Sequence, residues 1–156
     1  MKLSLSRADD APLDWLDDGA VETLGRICES LGPADRTASV VVVDDETIQS
    51  LNARFRGKDQ PTDVISFSYL DEEPALQGPA EDDPAAEIFI SHQTIARDAA
   101  DSGVEVSHLF LRMGIHGLLH ALGRGHDTDE EAERMESEER DILSAHIGPG
   151  PAAKLF

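Results

Sequence analysis

The sequence predicts an α+β fold, an α/β sandwich in which a mixed four-stranded sheet is packed with about five helices. Three observations lead there. At 156 residues and 16.9 kDa the chain has the size of one domain. Hydrophobic residues at 40% and charged residues at 29% are ordinary globular usage, which argues against wholesale disorder and against a fibrous repeat. Short runs with strand character are interleaved with longer runs of helical spacing, in the order strand, helix, strand, helix, strand, strand, helix, helix, helix.

Each element has a local reason. Lys2 to Ser6 alternates polar and apolar residues as a short strand does, and Leu13 to Leu31 carries apolar residues at helical spacing until Gly32-Pro33. Ser39 to Val43 is a valine-rich strand ending at Asp44-Asp45, which can cap a helix running through Ile48, Leu51 and Phe55 to Gly57. Thr62 to Tyr69 alternates again as a third strand. Residues from Asp71 to Pro84 are acidic and rich in Pro, Gly and Ala, the composition of a long surface loop. Glu87 to Ile90 is a fourth strand, and Ser91 can cap a helix that Gly103 ends. Val106 to Leu122 is apolar nearly all round, as befits a helix enclosed by the rest of the protein. Thr128 with Glu131 forms a capping-box pattern for a final helix through Met135, Ile142 and Leu143. Gly148-Pro149-Gly150-Pro151 then closes the domain, 1–147, and leaves 148–156 as a short C-terminal tail.

The anomaly is charge. Asp and Glu total 32 against 13 Lys and Arg, a formal net charge of −19, which excludes coating nucleic acid or anionic membrane through bulk electrostatics. The acids concentrate in the first helix, in the loop after Tyr69 and in the final helix, away from Arg54, Arg56 and Lys58 in sequence. Local contact with an anionic substrate therefore remains open. The scarcity of lysine, with only Lys2, Lys58 and Lys154, raises the expectation of a high-salt source. Cys28 is the single cysteine and reads as a small buried hydrophobe, so no oxidising compartment is implied. Neither a signal peptide nor a membrane-spanning run is evident, and the expected location is cytoplasmic.

Chemistry is concentrated at His116-Gly117-Leu118-Leu119-His120-Ala121-Leu122-Gly123-Arg124-Gly125-His126. Two histidines four apart on a helix lie about 6 Å apart along its axis and on one face, so both imidazoles can address one ion. Gly123 permits the left-handed turn that brings His126 back as a third ligand. Three protein ligands leave a coordination position open, the arrangement of a catalytic zinc on a zincin-like helix. Two histidines at this spacing are more often core residues than ligands; the third, at the spacing of the metzincins, is what points to a metal. His92, His108 and His146 stand outside the group. Where zinc proteases carry Glu after the first histidine, this chain has Gly117, so a conventional peptidase is disfavoured. Phosphate-binding loops, nucleophile elbows and cysteine pairs are absent.

Two blocks, Leu51 to Phe67 and His116 to His126, together with weaker agreement at Glu87 to Ser91 and Glu131 to Glu139, give the chain a close similarity to the YbeY family of bacterial endoribonucleases that mature ribosomal RNA. The resemblance implies zinc, one ion per chain, held by His116, His120 and His126. It implies that Arg56 contacts substrate phosphate or offsets transition-state charge, a task suited to a guanidinium fork. It further implies a single-strand-specific endoribonuclease acting at the 3′ end of 16S ribosomal RNA and in ribosome quality control, with ribosomal RNA and the small subunit or ribosome as partners, and neither membrane nor DNA. Two departures stand out. Gly125 replaces the Asp usual before the third histidine, and Ala86-Glu87 replaces a usual Gly-Asp. The alternatives are a metal-dependent hydrolase of a peptide or small molecule and a non-catalytic ribosome-assembly factor.

Overall fold

The computed structural model describes all residues except 9 and 74–82. The loop expected at 71–84 therefore lies largely outside the described residues. Four strands, β1 (Lys2–Arg7), β2 (Thr37–Val43), β3 (Val64–Ser68) and β4 (Ala86–Ser91), form one sheet in the order β1-β2-β4-β3. β1 pairs with β2 and β2 with β4 in parallel, whereas β3 pairs antiparallel with β4, with Val40 opposite Ile88 and Ile65 opposite Phe89. The sheet is thus mixed, as expected, and β3 is an edge.

Around it pack α1 (Asp18–Leu31), α2 (Asp45–Arg56), α3 (His92–Ser102), α4 (Val106–Ala121), α5 (Asp129–Ile147) and α6 (Pro149–Ala153). Strand alternation sends Val40, Ile88, Ile90 and Val64 to one face, where they join Leu24 and Ile27 of α1 and Phe110, Ile115, Leu118 and Leu119 of α4 in the main core. The other face carries Val43, Ile65, Phe67 and Phe89 and is covered by Ile48 and Leu51 of α2. This two-sided packing is why α4 is apolar on most of its surface: α1 lies on one side, the sheet on another and α5 on a third.

Two expectations are corrected. α1 starts at Asp18 and not at Leu13, because the Asp17 carboxylate accepts from the Ala20 amide at 2.6 Å and caps the helix there. Leu13 and Leu16 lie in the preceding turn, where Trp15 packs edge-on to Phe110 at 5.7 Å between ring centroids. The segment 148–156 is no loose tail. Pro149 sits at the start of α6, a position where its missing N–H is harmless, and Ala152 and Leu155 are buried against the core. Six helices result among the described residues where about five were expected.

Candidate metal centre

α4 delivers His116 and His120 one turn apart, with ring centroids separated by 4.6 Å. The helix ends where expected. Gly123 adopts φ 92°, a left-handed conformation costly for other residues, while its amide donates to the His120 carbonyl and the Arg124 amide to that of Leu119. The chain reverses and returns His126 to within 4.4 Å of His120 and 5.8 Å of His116, centroid to centroid. One nitrogen from each of the three rings lies within 4.8 Å of the others. His116 and His120 are half-buried and His126 is exposed, so the group opens to solvent on the His126 side. His92 begins α3, His108 approaches Glu105, and His146 lies in the last turn of α5, all outside the triad.

The electrostatics favour a neutral imidazole at His120. Burial above all, then the neighbouring His116 and His126, pushes the His120 pKa down to about 4, and the charge of Arg56 acts in the same direction. The Nε2 atom of His120 is buried with no hydrogen-bond partner. An unsatisfied buried nitrogen is costly, and here it faces two further imidazoles. A metal ion fits this donor set, since it would take up the orphaned lone pair, and three imidazoles suit zinc or a similar transition metal.

A residue missed by sequence reading completes the arrangement. Glu139 of α5 is buried, and its Oε1 lies 2.5 Å from His116 Nδ1. The carboxylate fixes the ring and leaves Nε2 of His116 for an ion, a pairing that raises the imidazole's donor strength. Its Oε2 meets Arg112 Nε at 3.5 Å. Arg112 also donates to the Leu155 carbonyl and lies over the Phe156 ring, 4.0 Å from its centroid. A signal was present in the sequence. Met135, Glu139 and Leu143 follow one another at intervals of four, and all three are buried, so this acid occupies a core position of α5.

Gly117 also acquires a reason. A Cβ there would come within 2.7 Å of Ile88 and 3.4 Å of Val64, so the metal helix lies directly on the sheet at the position where zinc proteases place Glu. A side chain at 117 would point into the core and not at the three histidines. Arg56 closes α2, whose end is set by Gly57 at φ 69° and by Asn52, which donates to the Gln60 carbonyl at 2.8 Å. Arg56 is exposed, and no described residue forms an ion pair with Arg54, Arg56 or Lys58. The plain expectation for such arginines, a surface ion pair, is not met.

The family model described as Endoribonuclease YbeY matches residues 14–146. The chain belongs to the YbeY family. A protein of Rhodopseudomonas palustris named Endoribonuclease YbeY is 43% identical over 119 residues, which are 74% of this chain and 60% of that protein. The protein of the same name from Paramagnetospirillum magneticum is 42% identical over 107 residues, 69% of this chain and 65% of its own length. The chain thus spans about three fifths of the Rhodopseudomonas relative. The solution structure of TM1509 from Thermotoga maritima superposes with a TM-score of 0.60 at 22% identity, covering 97% of this chain and 95% of that one, and so shares the fold.

Within that YbeY framework the two departures have local counterparts. A Cβ at Gly125 would approach the Glu131 carboxylate at 3.3 Å, and that carboxylate accepts from the amides of Asp127 and Thr128 as part of the α5 capping box. An Asp at 125 would set a second negative charge beside it, and glycine avoids the clash. Glu87 accepts from the Tyr69 hydroxyl at 2.9 Å and ties the end of β3 to β4.

Proposed function

We propose that the chain is a zinc-dependent endoribonuclease, specific for single strands, that matures ribosomal RNA at the 3′ end of the 16S species and takes part in ribosome quality control. The observation that carries this reading is the orphaned Nε2 of His120 facing His116 and His126, with Arg56 free of ion pairs among the described residues. Membership of a family whose relatives are named endoribonucleases supports the choice of RNA.

In this reading His116, His120 and His126 hold the ion. Bound zinc supplies Lewis acidity toward a phosphoryl oxygen and lowers the pKa of water to about 7. Glu139 keeps the His116 ring in the tautomer that can ligate. Arg56 binds the non-bridging oxygens of the scissile phosphate and offsets the charge that grows on them, a role in which its fixed fork is worth more than a lysine. Gly117 provides no proton acceptor, so the proton must leave through the solvent-open His126 side or through the substrate itself. A single strand suits the site because an unpaired backbone can bring its phosphate to two half-buried histidines more closely than a stiff duplex can.

The test is cleavage. His120→Ala should lose bound metal and cutting of single-stranded ribosomal RNA together while its far-UV circular dichroism is unchanged. Arg56→Ala should keep the metal and lose roughly 100-fold or more in rate. Metal-loaded protein that leaves such RNA intact, alone and with ribosomes, would overturn the reading. A 2′,3′-cyclic phosphate on the product identifies the ribose hydroxyl as nucleophile; its absence identifies water.

A further inference from the structure

Among the described residues the only large hydrophobic side chain left exposed is Phe55, at 53% of its surface. It occupies the last turn of α2 between Arg54 and Arg56, with Lys58 just beyond. Its ring is not isolated. Phe67 of β3 packs against it edge-on at 5.0 Å, and Phe89 of β4 packs against Phe67 at 6.0 Å, a short aromatic ladder in which Phe67 and Phe89 are half-buried and Phe55 is exposed. The Arg54 guanidinium lies over the Phe55 ring, 5.1 Å from its centroid.

One contact connects this ladder to the metal helix. Ser68, adjacent to Phe67 on β3, donates to the Ala121 carbonyl at 2.8 Å, and Ala121 follows His120. β3 is the sheet edge, with the aromatic ladder on its α2 side and the metal helix α4 packed on its other side.

From this placement we propose that Phe55, with Arg54 beside it, is a stacking platform for an unpaired base of the RNA substrate next to the phosphate held by Arg56. The proposal rests on the single-strand reading above. An exposed ring flanked by three cations, in a chain of net charge −19, matches the chemistry of a base attached to a phosphate and not that of an apolar protein surface. Phe55 is supported from beneath by Phe67, so its ring is ordered before the base arrives.

Binding decides it. The metal-loaded protein is titrated with a fluorescein-labelled single-stranded RNA carrying 2′-O-methyl groups and phosphorothioate linkages to resist cutting. A second titration uses the same strand with its bases removed. Phe55→Ala should bind the intact strand about 10-fold or more weakly than the native chain and the abasic strand equally well, and Phe55→Tyr should restore the native affinity. Equal affinity of Phe55→Ala for the intact strand would overturn the platform and assign the ring to a protein partner. Equal losses on both strands would overturn it in favour of a disturbed α2 end. Failure of the native chain to bind either strand would overturn the RNA reading itself.

Discussion

At the scale of residues the centre is a group of three imidazoles, one of them oriented by a buried acid. Glu139 cannot be spared without releasing the His116 ring, so Glu139→Gln should weaken metal affinity by roughly 10- to 100-fold, read by competition with a chromophoric chelator, while the fold persists. The pH dependence follows from His120. Its folded pKa of about 4 lies below the ordinary imidazole value of 6.5, so between these limits the unfolded chain binds the extra proton. Stability of the metal-free protein should therefore fall as pH drops from 6.5 toward 4, and His120→Asn should flatten that part of the profile in denaturant titrations. The histidines were legible in the sequence because ligands four apart on a helix leave a fixed spacing. Glu139 was not, because its partner lies 23 positions away; the four-residue spacing with Met135 and Leu143 marks a core position on α5 but does not say what the acid meets there.

At the scale of elements α4 is the member on which the others converge, and glycine makes the convergence possible. Gly117 brings it onto Ile88 and Val64, and Gly114 brings it to 3.0 Å, Cβ position to methyl, from Leu24 of α1. Gly117→Ala should cost about 1–3 kcal/mol in urea unfolding, since the fully buried Ile88 side chain must yield to a group that has no space. A measured cost near zero would mean that α4 rides loosely on the sheet. The caps at Asp44, Ser91, Thr128, Gly57 and Gly103 stand where local sequence places them, because capping depends on residues within one turn. The start of α1 and the existence of α6 did not. Leu13 and Leu16 keep helical spacing yet fold into a turn, and the Gly-Pro-Gly-Pro run forms helix because Ala152 and Leu155 find a place in the core. The first outcome follows from the Asp17 cap and the second from tertiary contact.

At the scale of the whole molecule the charge of −19 remains the strongest physical constraint. The densest group of acids lies on α5, where some are paired within the helix, as in Glu130 with Arg134 and Glu136 with Arg140. Surface pairs of this kind contribute little, and the excess negative charge repels itself. Added potassium chloride should therefore raise the thermal midpoint between about 0.05 and 1 M, as the screening length shrinks from above 10 Å to about 3 Å. A midpoint independent of salt would remove the expectation of a high-salt source. No helix among the described residues is long and apolar enough to cross a membrane.

The contact of Arg112 with Leu155 and Phe156 joins residues 43 and 44 apart, and that of His116 with Glu139 joins residues 23 apart. During synthesis the three histidines emerge first, then the acid that orients them, and last the segment that steadies the arginine behind that acid. A chain still being made thus presents ligands before it presents their support.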